Sequence, residues 1–225
     1  IELTRSGLVI PKINKVIRSV EAEIPSKCPS CDEDLSWESD FLICLNHETC
    51  KDQIVGKMIY FYKILANNDG FGEATIQKLY DKGIRKVYDI YKLTKFDLVS
   101  MGFGEKTSQN LINQLIRSRQ ESIEDWRFLA AFGVLRLGMG NCENLLKNYA
   151  LDQVFDLTVD DISIIDGFAE LTAELIFNGL SLIKPQYEDL IKDGFELEKT
   201  LLLGTTNPSD NPYHNKKIVF TGSMS

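Results

Sequence analysis

Four cysteines lie close together in the chain and are the side chains best suited to chemistry. Cys28, Cys31, Cys44 and Cys50 form the pattern C-x2-C-x12-C-x5-C. A short C-x2-C arm lets one turn present two thiolates to a single metal ion, and a second pair completes a tetrahedral zinc site. Because four protein ligands leave no coordination position open for a substrate, we predict a structural zinc ion.

Other roles for these cysteines are possible. Two disulfides would need an oxidising compartment and usually a signal peptide, and the chain opens without a basic segment followed by an apolar one. His47 could replace one thiolate, but Cys50 makes that unnecessary. A fifth cysteine, Cys142, is interpreted as a core residue because free cysteine is among the most often buried residue types.

A local pattern returns four times after the cysteines: an apolar helix end, a turn with two glycines one residue apart, and a new helix. The turn residues are Gly70 and Gly72, Gly102 and Gly104, Gly138 and Gly140, and Gly167 with Ala169 in place of the second glycine. The first glycines are 32, 36 and 29 residues apart. Such spacing is typical of tandem supersecondary units, so we expect a mainly α fold.

Each of these turns has the properties of an anion site. Glycine adopts positive φ and allows the backbone to approach a ligand closely, while the helix that follows offers unpaired N–H groups and a positive dipole end. Lys106 and Lys147 are candidate partners for a bound phosphate, although isolated lysines are more often solvated. The alternative is that some copies only pack, and Ala169 makes the fourth copy the leading candidate.

Side chains near the turns have simpler interpretations. Glu73 and Glu105 stand at the start of the second helices, where they can act as caps. Phe71 and Phe103 lie between turn glycines and are expected to anchor the turns inward, as core packing is a more common role for such residues than base stacking.

Composition limits the classes of function. The chain has 225 residues, 44% apolar and 26% charged, with a net charge of −8. No apolar run approaches the ~20 residues of a membrane span, and we expect a cytoplasmic protein. The negative charge is unusual for a nucleic-acid-binding surface, but it does not exclude one that holds phosphates through backbone amides.

The repeated turn resembles the helix-hairpin-helix motif, which binds DNA backbone phosphates and does not read bases. The resemblance implies contacts that position a protein on DNA without specifying sequence. The implied DNA-binding residues are Gly70, Gly72, Gly102, Gly104, Lys106, Gly138, Gly140 and Gly167.

Both ends of the chain extend the resemblance. Residues 3–13 resemble the last strand and exit of the oligonucleotide-binding (OB) barrel of NAD-dependent DNA ligases, and residues 216–223 resemble the first strand of a BRCT domain. The order of parts is that of these bacterial or phage ligases. The expected domains are the barrel end at 1–20, a four-cysteine zinc finger at 21–55, four helix-hairpin-helix motifs at 56–200, a linker at 201–215 and the start of a BRCT domain at 216–225.

The family's adenylation chemistry is expected elsewhere, so no residue of this chain is predicted to be catalytic. The family adenylates a lysine in Lys-x-Asp-Gly, whereas the residues two before the Asp of each Asp-Gly here are Asn67, Ile164 and Ile191. NAD and magnesium would be used by the complete ligase and not bound by this segment.

The resemblance also implies partners. They are nicked double-stranded DNA, clamped for sealing in replication and repair, and an adenylation domain or subunit of the same ligase. The chain could be a natural subunit or part of a longer enzyme. The alternative functions are a non-enzymatic, structure-specific DNA-binding adaptor and a zinc-ribbon protein of transcription.

Overall fold

A computed structural model describes residues 2–6, 10–18, 23–38 and 40–204. It divides the chain into two compact units, Ile1–Lys51 and Asp52–Ser225. Helices dominate the second unit and the sheets are small. The prediction of a mainly α fold is therefore confirmed.

The first unit is built from two antiparallel hairpins. β1 (Glu2–Ser6) pairs with β2 (Ile10–Lys15), and β3 (Leu35–Glu38) pairs with β4 (Phe41–Cys44). The second hairpin follows the first cysteine pair, and its register sets Leu35 opposite Cys44. That the first hairpin is the end of an OB barrel stays a prediction.

Nine helices follow among the described residues of the second unit, with a short pair of strands. In chain order they are α1 (Lys51–Leu65), α2 (Glu73–Asp81), α3 (Val87–Tyr91), α4 (Lys95–Ser100), α5 (Glu105–Gln120), β5 (Ile123–Glu124), α6 (Asp125–Ala131), α7 (Met139–Asn148), α8 (Val159–Ser163), α9 (Glu170–Lys192) and β6 (Leu197–Glu198). A single 3₁₀ turn, Val154–Asp156, precedes α8.

The helical unit has two hydrophobic cores. The first is centred on α1 to α5 and includes the fully buried Phe61 and Leu79. The second is centred on α6 to α9 and includes Leu145 and Ile176, which are also fully buried. Each core carries two of the four repeated turns, so the repeats are organised as two pairs.

Matching caps show that the two pairs are copies of one arrangement. The Thr94 side chain accepts a bond from the Asp97 N–H, and the Asp97 carboxylate accepts one from the Thr94 N–H at 2.8 Å. Thr158 and Asp161 make the same reciprocal bonds at the start of α8, at the same 2.8 Å. This capping box satisfies two otherwise unpaired donors at each helix start.

The end of the described chain returns to the start of α6. β5 and β6 pair in parallel, with Ile123 opposite Leu197. The Asp125 carboxylate, 3% exposed, accepts a bond from the Thr200 N–H at 3.0 Å. Most of the predicted linker and all of the predicted BRCT strand, residues 216–225, lie outside the described residues. Over the part that is described, no helix has the length and apolar character of a membrane span.

Candidate metal centre and nucleic-acid interface

The four predicted cysteine ligands converge on one point. Their sulfur atoms all lie within 4.8 Å of one another. Cys28 Sγ is 3.9 Å from Cys50 Sγ, and Cys31 Sγ is 3.6 Å from Cys44 Sγ. Four sulfurs at about 2.3 Å from a central zinc ion would be about 3.8 Å apart. The arrangement therefore fits a tetrahedral metal ion after small shifts of the sulfur atoms.

Local backbone structure holds these ligands in place. The first pair sits on a turn in which the Asp32 N–H donates to the Cys28 carbonyl at 2.9 Å, and the Cys28 N–H donates to the Glu33 carbonyl at 2.8 Å. Cys44 ends β4, and Cys50 directly precedes α1. Both are buried, so water has little access to their sulfurs.

The disulfide alternative does not agree with this geometry. All five cysteines are free, and sulfur atoms 3.6–3.9 Å apart are well beyond the ~2.05 Å of a disulfide bond. Cys142 is fully buried in the second helical core, where its thiol donates to the Leu137 carbonyl at 3.4 Å. Burial raises the pKa of the Cys142 thiol, so its interpretation as a core residue is confirmed.

Three of the repeated turns share one backbone conformation. Gly70, Gly102 and Gly167 have φ of 91°, 86° and 92°. The next residue is a phenylalanine buried in the core, and the one after it is an extended N-cap that begins a helix. Phe71 and Phe103 thus anchor the turns inward, as predicted.

The third turn lies two residues earlier than the glycine pattern indicates. Its left-handed residue is Arg136, at φ 63°, followed by the buried Leu137 and then Gly138 as the N-cap of α7. Gly138 is thus equivalent to Gly72, and Gly140 is the second residue of α7. A Cβ on Gly140 would meet nothing within 4 Å, so neither its conformation nor its surroundings require glycine there.

After every turn, the helix presents amides that have no acceptor within the helix. The first helical bonds run to the N-cap carbonyl, for example from the Ile76 N–H to Gly72 at 3.0 Å and from the Ser108 N–H to Gly104 at 2.8 Å. The N–H groups that precede Ile76 and Ser108 in their helices are the unpaired donors of a helix start. With the helix dipole, they can bind an anion such as a phosphate.

Glu73 and Glu105 do not form side-chain caps, contrary to expectation. The N-caps are Gly72 and Gly104, and neither helix has a side-chain cap bond. The carboxylate of Glu105 instead pairs with Lys95 Nζ at 2.6 Å. An acidic residue in the first turn is favourable to the helix dipole, although it competes with an incoming phosphate.

Cations are distributed unequally around the turns. Lys106 is exposed and, among the described residues, has no ion-pair partner, whereas Lys147 pairs with Glu143 at 2.6 Å. The third turn combines Arg136 with a helix whose first turn has no acidic residue. Of the four turns, the third is the one whose following helix begins without a carboxylate in its first turn.

Two residues that the sequence did not single out link the turns within each pair. Lys78 Nζ donates to the Gly102 carbonyl at 2.6 Å and lies 4.3 Å from the centre of the Phe103 ring. In the second pair, the Asn144 amide donates to the Asp166 carbonyl at 2.8 Å. Lys78 and Asn144 each lie six residues after the N-cap of their helix. The sequence shows this shared spacing when Gly138 is taken as the N-cap of the third turn.

The three Asp-Gly dipeptides are structural turns. Gly70, Gly167 and Gly194 all have positive φ, between 91° and 93°. Gly194 directly follows the C-cap of α9, where glycine is favoured because it lacks a Cβ, and Gly70 and Gly167 are the left-handed residues of the first and fourth turns. Their conformation explains why Asp-Gly occurs here without the lysine of an adenylation motif.

Comparison with known proteins agrees with this geometry. Residues 62–115 match the family described as SAM-like helix-hairpin-helix tandem. A protein named DNA ligase from Ruthia magnifica subsp. Calyptogena magnifica is 58% identical over 224 residues, covering 100% of this chain and 36% of that protein. DNA ligases from Psychromonas ingrahamii and Clostridium tetani are 49% and 28% identical, covering 100% and 99% of this chain and 34% of each relative.

These similarities confirm the family resemblance found in the sequence. They also show that the chain spans about a third of the length of the curated relatives it matches. The chain corresponds over its whole length to one region of the bacterial DNA ligases.

Proposed function

We propose that this chain is the DNA-holding region of an NAD-dependent DNA ligase, and that it clamps nicked duplex DNA while an adenylation domain seals the break. The proposal rests on one observation: a left-handed residue followed by a buried residue and a helix start recurs four times in a chain that is similar throughout to DNA ligases. Nicks occur in arbitrary sequence, so their recognition calls for contacts to the backbone and not to bases.

The turns supply such contacts through the backbone amides of α2, α5 and α7. The amides of each helix start follow a glycine N-cap, which is Gly72, Gly104 or Gly138. A Cβ added to any of these glycines would have no neighbouring atom closer than 4.0 Å. A phosphate can therefore approach the helix start closely. Lys106 and Arg136 add positive charge without providing a base-specific surface.

The left-handed glycines shape the turns and do not themselves bind the phosphate. Gly70 and Gly102 shape their turns, since their positive φ brings the chain back towards the next helix. Gly167 does the same in the fourth turn, whose surroundings are acidic, so we assign that turn the smallest share of DNA binding. Gly140 contributes only as part of the first turn of α7.

The cysteine cluster would bind a structural zinc ion in the first unit. Four thiolates suit zinc, and a closed shell of four cysteines supports local folding without taking part in a reaction. The β1–β2 hairpin supports the further proposal of an OB barrel, because Leu3, Ile13 and Val16 are more than half exposed. A two-stranded hairpin with unburied apolar side chains is not stable by itself.

Nick joining tests the proposal. The chain alone, and the chain mixed with the adenylation region of the Ruthia magnifica ligase, are assayed with nicked DNA, NAD and magnesium. Joining only in the mixture is the expected result, because this chain holds DNA but has no adenylation lysine. Tight binding of nicked duplex without any gain in joining would instead indicate the adaptor function.

A further inference from the structure

The fourth turn differs from the others in charge. From residue 148 to residue 183 the chain contains seven acidic residues and no lysine, arginine or histidine. Four of the carboxylates, on Asp160, Asp166, Glu170 and Glu174, are exposed and have no ion-pair partner among the residues that the structure describes. Such a surface repels phosphate and attracts cations.

The same region exposes large apolar side chains. Ile164, at the end of α8, is 75% exposed, and Leu171 and Leu182 of α9 are 70% and 80% exposed. Leu175 lies between them on α9 and is half-buried. Residues spaced by four and by seven positions share one side of a helix, so the three leucines form one line on α9.

We propose that this leucine face, formed by Leu171, Leu175 and Leu182, is a docking surface for a basic amphipathic helix of another protein. The part of α9 from Leu171 to Leu182 spans about 16 Å, a length suited to an amphipathic helix with apolar residues at regular intervals. The apolar side of the partner would cover the leucines, and its lysines or arginines would pair with the surrounding carboxylates.

Charge excludes two other occupants. A second copy of this chain would bring the same acidic region against itself, and like charges in contact oppose association. Duplex DNA would bring phosphates to the unpaired carboxylates. The third turn, with Arg136 and no acidic residue in the following helical turn, is the contrasting surface in the same pair, which suits DNA instead.

Peptide binding tests the proposal. The chain is titrated into a fluorescent helical peptide of about 18 residues, with leucines on one side and lysines on the other. Two control peptides have glutamate in place of lysine, or the same residues in scrambled order. We expect the lysine peptide to bind and both controls to bind at least roughly tenfold more weakly.

Substitutions locate the surface. Leu182 lies near the middle of α9, beyond the helical turn that follows the fourth repeated turn, so Leu182→Ser should weaken peptide binding by at least roughly tenfold without changing affinity for nicked DNA. Phe96→Ser is the matched control, because Phe96 is 79% exposed in the first pair. The proposal is overturned if the lysine peptide does not bind, if the scrambled peptide binds equally, or if Phe96→Ser has the same effect. Loss of DNA affinity in the leucine variant would also overturn it, because the leucine face would then be a DNA contact.

Discussion

Asparagine at the N-caps of the first two turns should separate DNA binding from stability. Gly72 has φ −80° and ψ −177°, and Gly104 has φ −66° and ψ 151°. These angles are open to any residue, and asparagine is among the preferred N-cap residues. Its side-chain oxygen accepts a bond from an amide in the first helical turn, which is the donor that we assign to the phosphate.

The substitutions should have opposite effects on folding stability and on affinity for nicked DNA. The new cap should leave stability unchanged or raise it by a few tenths of a kcal/mol per site. A hydrogen bond to a charged group contributes about 1.5–3 kcal/mol, so each occupied turn should weaken nicked-DNA binding by roughly ten- to a hundredfold. Asparagine is neutral, so the loss cannot be assigned to a change in net charge.

Fluorescence anisotropy with nicked duplex and thermal unfolding of the same samples provide the two measurements. Gly56→Asn is the matched control, since Gly56 lies within α1 and outside the four turns, has no left-handed conformation, and a Cβ there meets nothing within 4 Å. An unchanged affinity in a folded Gly72→Asn/Gly104→Asn double variant would refute the assignment of these amides to phosphate binding.

Four further outcomes are expected. Gly102→Ala places an L-residue at φ 86°, which costs about 1–2 kcal/mol, so calorimetry should show a thermal midpoint about 2–8 °C lower; an unchanged midpoint would contradict this strain. Lys78→Met removes the bond to the Gly102 carbonyl and a nearby cation, and should weaken nicked-DNA binding with a salt dependence reduced by about one phosphate contact. Cys44→Ser should lower bound zinc and, in the assembled enzyme, nick joining, whereas full metal content in this variant would argue against the proposed ligand set. The pKa of Asp161 lies below its ordinary 3.8 because the Thr158 side chain and N–H donate to its carboxylate. These bonds stabilise the folded protein fully at pH values above 3.8, and the stabilisation is lost as the pH falls through the lowered pKa. Thr158→Ala should therefore reduce the change of the urea midpoint with pH in this acid range.

Residue type and spacing were sufficient to predict the metal cluster and three of the four turns. The C-x2-C arm requires a tight turn whatever surrounds it, and glycine at a left-handed position is strongly favoured. The third turn was misplaced because its left-handed residue is Arg136, which the sequence does not distinguish from any other arginine. The two glycines nearby, Gly138 and Gly140, matched the pattern in the wrong register.

The packing of the helices into two cores was harder to predict from the sequence than the individual turns. The division into two cores depends on which helices pack together, and a local motif contains little information on that. One signal was present, because Thr94 and Thr158 each precede an aspartate by three residues, as in a capping box. The parallel pairing of Ile123 with Leu197 joins distant segments and has no local signal of that kind.

The left-handed arginine of the third turn has a consequence for protein engineering. A non-glycine residue in that conformation costs about 1 kcal/mol or more, and glycine at position 136 would relieve it. A search for thermostable variants would therefore favour Arg136→Gly, and would remove the cation from the third turn. Stability and function are in conflict at this position, so selection for heat resistance should be combined with a screen for nick binding.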